Sequence, residues 1–443
     1  MINQPTYKVP FIYDKLTSTT SNTNENVWKV SVPGSKSITN RALLLATLGQ
    51  GLSTLKGVLF SDDSRHFLKC VQELGFDTTV DEENAIITVE GQGGLIPQKI
   101  ANQYVGSAGT AARFLTALLG VSEGKYYMDS SDQMKRRPMA PLLNSLKELG
   151  CKVTFQGEEG YFPFILEGNG FGKNEITIDI EHSSQFLSAL LVSSCLCKED
   201  FTIKVKGTHG MAYIIMTLKM MEHFGVKAEQ TSEDTFIIKA NQKYNALDYQ
   251  IEPDVSAACY FYAMCPLLHI PVCVSHVHFE SLQGDVQFIK ILEQLGCTAY
   301  DKPEGIYLYP PTSMDYPGIA VDMSACSDQA ITLAAIAPFA SSPTTITGIG
   351  HIRHQESDRI SAIVTELTKL GIKCDEKPDA VTIYPGNITP ATVSTYDDHR
   401  MAMGFSLIGL RNEGVIIDDP DCCRKTFENY FEVLESLIKE NLS

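Results

Sequence analysis

Basic side chains are the scarcer charge in this chain, yet they gather in a few short loops. Lys36 and Arg41 lie in PGSKSITNRALLL (33–45), Arg113 follows GSAGT (106–110), and Lys135, Arg136 and Arg137 precede Pro138. Arg353 and Arg359 flank Glu356 in RHQESDR, Arg400 sits in DDHR, and Arg424 and Lys425 precede the last helical run. The planar arginine fork suits carboxylates and phosphates, and a cleft lined by such groups concentrates small anions. Taken singly, Arg113 and Arg424 read as solvated surface charges. Two carboxylates stand among the cations. Asp328, just before AITLAAIA, is either the N-cap of that helix or a group that moves a proton. Glu356 is either an i,i+3 ion-pair partner of Arg359 or a second proton-transfer group.

The elements that must carry these residues recur along the chain. An apolar helical run closes on Leu or Phe, then a glycine, then a strand-like segment: Gly75, Gly150, Gly225, Gly296 and Gly371, about 75 residues apart, with YFEVLESLIKE at the matching interval. Each glycine is suited to a left-handed helix C-terminus. A second helix precedes each of these: NRALLLATL, TAARFLTALLG, SSQFLSALLVSSCL, SAACYFYAMCPLL, SDQAITLAAIAPFA and HRMAMGFSLIGL. These are apolar nearly all round, as buried helices are. The chain thus reads as six copies of a unit with two helices and about four short strands, assembled either as a solenoid or as two closed domains of three units.

In every copy the loop before the buried helix is polar: Lys36 and Ser37, Gly106 to Thr110, His182 to Gln185, Asp254 to Ser256, Ser327 and Asp328, Asp397 to Arg400. Helix N-termini carry unpaired N–H groups and the positive dipole end, so several of them converging on one anionic ligand is the expected use. In the first loop Ser35 or Ser37 is also a ready N-cap. GSAGTAARFL lacks both the GK[ST] of nucleotide P-loops and the GxGxxG dinucleotide turn.

The remaining features are exclusions. A formal charge of -17 does not suit wrapping nucleic acid. No apolar run spans a bilayer and no basic leader is present, which predicts a cytoplasmic chain with no membrane partner. The twelve cysteines are scattered without CxxC spacing and read as reduced core thiols. His351 and His354 lack metal-site spacing, so no metal is expected. The N-terminal segment reads as a strand near 8 to 13, a loop through TSTTSNTNEN (17–26), and another strand.

PGSKSITNRALLLA, GSAGTAARFL, KRRPM, SSQFLSALL, SDQAITLAAIA, RHQESDRI, DDHRMAM and KTFENY occur in this order across roughly residues 30 to 435. This ordered set resembles the 5-enolpyruvylshikimate-3-phosphate synthases among the enolpyruvyl transferases. The resemblance implies an α/β (α+β) fold: a two-domain inside-out α/β barrel, each domain three βαβαββ units with buried helices. One domain would span 34–248 and the other 1–33 plus 249–443, with crossover hinges near 30–34 and 246–250. It also implies transfer of the enolpyruvyl group of phosphoenolpyruvate to the 5-hydroxyl of shikimate 3-phosphate, on the path to chorismate and aromatic amino acids, by a monomer without metal or organic cofactor. Lys36, Gly109, Arg137, Gln185, Arg359, Arg400 and Lys425 would hold phosphoenolpyruvate, the site that the inhibitor glyphosate occupies. Lys36, Ser37, Arg41, Ser183, Ser184, Gln185, Tyr213, Asp328 and Gln355 would hold shikimate 3-phosphate, the 34–248 domain being its side. Lys36, Asp328 and Glu356 would be catalytic, Asp328 as base for the 5-hydroxyl.

Three positions depart from the family pattern. Gln355 stands where a lysine is usual, Gly210 where a phosphate-binding serine is frequent, with His209 beside it as a substitute, and Phe114 where a proline is frequent. The related transferase acting on UDP-N-acetylglucosamine normally has a Lys-Asn pair in the first loop and a reactive cysteine in a loop, whereas this chain has SKSITNR, and Cys151 opens a strand-like segment.

Overall fold

The computed structural model describes residues 5–18, 26–208 and 210–442. The chain divides into two compact units, one of Gly34–Ile251 and one of Met1–Pro33 with Glu252–Ser443.

Within the Gly34–Ile251 unit one motif occurs three times. Strand Ile100–Tyr104 runs parallel to Gly124–Asp129, and the helix Gly109–Val121 makes the crossover between them. Gly124–Asp129 pairs antiparallel with Phe164–Gly168, which pairs antiparallel with Lys152–Phe155. Parallel strands need such a crossover, and antiparallel neighbours need only a short connection. Glu175–Asp179, Phe201–Lys206, Thr235–Ile238 and Ala228–Ser232 repeat the order around the helix Gln185–Ser194. The sheet beside Lys36–Leu48 is completed from afar: its parallel edge strand is Asp248–Gln250, laid against Gln50–Lys56. The same happens in the other unit, where Trp28–Val30 supplies the parallel edge to Val272–Ser275. Ala320–Asp322, Thr344–Thr347, Ala380–Ile383 and Cys374–Lys377 form the fifth sheet. The sixth has three strands, Thr392–Val393, Ile416–Ile417 and Tyr7–Lys8, so its copy of the motif is shorter than the repeat predicts. The N-terminal reading is corrected here too: the strand covers only Tyr7–Lys8, and Tyr13–Ser18 is helical. Most of TSTTSNTNEN lies outside the described residues.

The six apolar runs are the buried helices. All thirteen residues of Gly109–Val121 are buried, as are Ala330–Ile336 and all but the last residue of His399–Arg411. Gly75, Gly150, Gly225, Gly296 and Gly371 all have φ between +83° and +98°. An L-residue there would be strained, so glycine is what allows the chain to turn from each second helix into its strand. All twelve cysteines are free, ten of them buried.

Candidate active site

In the Gly34–Ile251 unit the polar residues collect at the N-termini of the buried helices. Ser35 caps Lys36–Leu48, its hydroxyl accepting from Ile38 N at 3.4 Å. Lys36 opens the helix and lies 3.4 Å from the Asp63 carboxylate. Arg41, one turn on, is 2 % exposed. Its nitrogens donate to Thr217 Oγ1 (2.8 Å), the Ser37 carbonyl (3.0 Å) and the Tyr213 carbonyl (3.4 Å). The guanidinium also lies 5.2 Å from the Phe114 ring centroid and 6.0 Å from that of Tyr213. Burial pushes its pKa down to about 10, so it stays charged at neutral pH. Among the described residues no carboxylate pairs with it, and a buried cation held only by neutral groups is matched to an anion from outside.

Gly109 is the first residue of its helix. A Cβ there would come within 3.0 Å of Arg113 Nη1 and of both terminal nitrogens of Arg137, so the bare backbone lets two guanidiniums sit against it. Arg113 is buried, donating to the Gly109 carbonyl (3.3 Å) and the Pro138 carbonyl (3.1 Å). This corrects the surface reading of Arg113: it ties the KRRP loop to the helix. Arg424 is exposed, as read. Gln185 opens its helix, its N–H donating to Ser183 Oγ at 3.3 Å. Gln185 Oε1, Arg137 Nε and both amide atoms of Asn40 are buried without a hydrogen-bond partner among the described residues. Buried polar atoms are normally satisfied, so each of these is an atom that a ligand or water could complete.

The departures acquire physical reasons. Gly210 has φ +67°, and a Cβ there would stand 2.5 Å from Ser184 Oγ, so this backbone does not admit a serine without moving Ser184. Phe114 packs its buried ring on Arg41. Gln355 lies half-buried in the turn between Gly350–His354 and the helix Arg359–Lys369. His209 lies outside the described residues.

In the other unit a single buried guanidinium organises the site. Arg359 is 1 % exposed. Its Nε donates to Asp398 Oδ2 (2.9 Å), Nη1 to Asp328 Oδ1 (2.8 Å) and Nη2 to Glu356 Oε2 (2.7 Å) and Asp398 Oδ1 (3.3 Å). Burial opposes its charge, but these three carboxylates outweigh burial and raise its pKa. Arg400 Nη2 donates to the other Asp328 oxygen at 2.9 Å, and Nη1 to Tyr260 Oη at 3.4 Å. Lys425 is buried beside Asp397, Nζ to Oδ2 2.8 Å, and also donates to the Asp397 carbonyl.

The N-cap reading of Asp328 is overturned. Asp328 lies inside the 3-10 turn Ser327–Gln329, whose N-cap residue is Cys326, and Gln329 is the N-cap residue of Ala330–Ile336; both Asp328 oxygens accept from guanidiniums. The cap in this cluster is Asp398, which accepts from Arg400 N at 3.0 Å. The ion-pair reading of Glu356 with Arg359 stands at 2.7 Å. Sequence reasoning missed Asp398, although DDHR before an apolar run is an N-cap signal. It also missed Asp63 and Asp285, and it weighed His351, whose Nε2 lies 2.7 Å from Ser327 Oγ, only as a metal ligand. Nothing in their local sequence distinguishes these from surface residues. Among the described residues no group of three His, Cys, Asp or Glu side chains is placed to hold a metal.

The family model for EPSP synthase (3-phosphoshikimate 1-carboxyvinyltransferase) matches residues 23–434. A 3-phosphoshikimate 1-carboxyvinyltransferase of Trichormus variabilis is 45% identical over 403 residues, covering 91% of this chain and 94% of that protein. One of Halalkalibacterium halodurans is 38% identical, covering 92% and 91%. A solved structure of EPSP synthase from Acinetobacter baumannii superposes with TM-score 0.77 at 23% identity, covering 92% of this chain and 95% of that one, which shows a shared fold. With guanidiniums buried at helix N-termini and a matched sequence running almost end to end, the chain belongs to the EPSP synthase family.

Proposed function

We propose that this chain transfers the enolpyruvyl group of phosphoenolpyruvate to the 5-hydroxyl of shikimate 3-phosphate and releases phosphate. The family supports this, and the observation that carries it to named atoms is Asp328, held between Arg359 and Arg400 with Glu356 on the same Arg359 guanidinium. Shikimate 3-phosphate is assigned to Ser37, Arg41, Ser183, Ser184, Gln185, Tyr213, Gln355 and Asp328. Phosphoenolpyruvate is assigned to Gly109, Arg137, Gln185, Arg359, Arg400 and Lys425, and Lys36 is assigned to both substrates.

In this reading Asp328 accepts the proton of the 5-hydroxyl as its oxygen attacks C2 of phosphoenolpyruvate, and Lys36 or Glu356 delivers a proton to the methylene carbon. Loss of that carbon's proton then expels phosphate and restores the double bond. Guanidiniums fixed in place before the ligand arrives stabilise the charge carried on the carboxylate and phosphate at little reorganisation cost. We also assign the inside-out barrel and the 34–248 and 1–33 plus 249–443 domains to the chain. The buried helices and repeated sheets of each unit support that assignment. Among the described residues no helix is long and apolar enough to cross a membrane, and the free buried thiols fit a reduced cytoplasmic monomer.

The test is phosphate release from phosphoenolpyruvate with shikimate 3-phosphate and, in parallel, with UDP-N-acetylglucosamine. Release with the first acceptor alone is expected. Release only with the second would move the chain to the neighbouring transferase reaction.

A further inference from the structure

One acid close to Asp328 has no basic partner within ion-pairing distance among the described residues. Asp285 lies in the turn Gly284–Val286 and is 5 % exposed. Its Oδ2 accepts from Ser256 Oγ and from Gln329 Nε2, the latter at 3.0 Å. Gln329 is the chain neighbour of Asp328 in the same turn, and its own Oε1 accepts from Thr332 at 2.9 Å. Asp285 is thus bonded directly to the segment that carries the candidate base.

The charged and titratable groups around it come from several elements. The helix Val255–Leu268 presents Ser256 and Cys259, whose Sγ donates to the Asp285 carbonyl at 3.6 Å, with Asp254 at its cap. The segment before Ala330–Ile336 brings Cys326 and Asp328, and His399–Arg411 brings Arg400. Burial and then Asp328 push the Asp285 carboxyl up, while Arg400, Ser256 and Gln329 pull it down, leaving it at about 6. Arg400 is therefore the main positive charge that keeps Asp285 ionised. The neighbourhood is already rich in acid: Arg359, Arg400 and Lys425 face Asp328, Glu356, Asp397 and Asp398. An anion placed on the two arginines offsets Arg400 and adds like charge beside a buried carboxylate, and both effects favour its neutral form.

We propose that Asp285 is a charge-compensating residue of this site: ionised in the ligand-free chain, it takes up a proton from solvent when an anionic substrate seats on Arg359 and Arg400. The inference rests on the assignment of phosphoenolpyruvate to those arginines. It identifies a residue that touches neither substrate yet sets the pH at which the site accepts its anion.

The experiment is calorimetric titration of phosphoenolpyruvate into the full chain saturated with shikimate 3-phosphate, in two buffers of different ionisation enthalpy. Proton uptake is read from the difference in heats, and protons exchanged by the ligand's own phosphate are common to every variant. At about pH 6.5 the wild type is expected to take up roughly half a proton more per ligand than Asp285→Asn. Equal uptake by the two overturns the proposal. Ser256→Ala supplies an independent arm. Losing that donor raises the Asp285 pKa, so the excess uptake shrinks at about pH 6.5 and grows at about pH 7.5. A Ser256→Ala chain that titrates as wild type at both pH values also overturns it. Arg400→Lys separates this from the assignment beneath it. Affinity for phosphoenolpyruvate lowered about tenfold or more supports the assignment. Unchanged affinity removes it, whatever the proton count.

Discussion

Arg359 makes four hydrogen bonds to three carboxylates, and its own position is therefore fixed before any ligand arrives. Glu356 takes one of these bonds through Oε2. Glu356→Gln preserves an acceptor for Arg359 but removes the proton-transfer group. Turnover is expected to fall at least about 100-fold with only a modest change in ligand binding, read by comparing kcat with dissociation constants. Unchanged turnover would take Glu356 out of the mechanism. Asp285 gives a stability prediction with a definite sign. Its folded pKa, at about 6, lies above the ordinary aspartate value, so the folded state holds the proton more tightly than the unfolded chain. Its contribution to stability is most favourable below pH ~4 and is lost as pH rises through about 6. Asp285→Asn should therefore be at least as stable as wild type at pH 7.5, measured by denaturant midpoint, with the advantage shrinking toward pH ~4. A neutral-pH loss of several kcal/mol would mean that the ionised carboxylate is a net stabiliser. At this scale the sequence was readable where a motif named the residue, as with Lys36, Arg359 and Arg400. It was unreadable for Asp63 and Asp285, because an acid's local sequence does not say whether its side chain turns inward to a partner many residues away, whereas Asp398 carried an N-cap signal that was passed over. Arg113 was misread for the same reason, although the apolar run that follows it pointed to burial.

The helices and strands were far more legible than the acids. Helical periodicity, small residues and a terminal glycine mark each copy locally, and the positive φ at all five glycines shows that the signal had a steric cause. Gly150 isolates that cause, since a Cβ there would meet nothing closer than Gly172 N at 3.8 Å. Gly150→Ala is expected to lower stability by about 1 kcal/mol through backbone strain alone, seen as a lower urea midpoint at unchanged slope. No loss would mean that the turn relaxes to an ordinary conformation. Gly210 is a different case, because there both the left-handed backbone and the Ser184 hydroxyl oppose a side chain. Gly210→Ser restores the residue frequent in the family, yet it is expected to weaken binding of shikimate 3-phosphate rather than tighten it. Tighter binding would show that Ser184 moves aside freely. The N-terminal strand was read near 8 to 13 instead of at Tyr7–Lys8 because its pairing with Ile416–Ile417 comes from the far end of the chain.

On the scale of the molecule, a chain of formal charge -17 handles two anionic substrates by keeping its cations in a few deep loops. Arg41 is held there by neutral groups, and Arg359, Arg400 and Lys425 by carboxylates that an anion must share or displace. Each unit completes one sheet with an edge strand distant in sequence, Trp28–Val30 against Val272–Ser275 in one and Asp248–Gln250 against Gln50–Lys56 in the other. No local pattern announces these pairings, because each joins segments more than 190 residues apart. The central claim is that Asp328 receives the 5-hydroxyl proton while Arg359 and Arg400 carry the phosphoenolpyruvate anion. The most direct measurement is a crystal structure of the Glu356→Gln chain with both substrates bound. The account predicts the 5-hydroxyl within hydrogen-bond distance of an Asp328 oxygen, and the phosphoenolpyruvate carboxylate or phosphate on Arg359 or Arg400. Both Asp328 oxygens still bonded to the arginines, with the hydroxyl and the anion seated elsewhere, would contradict it.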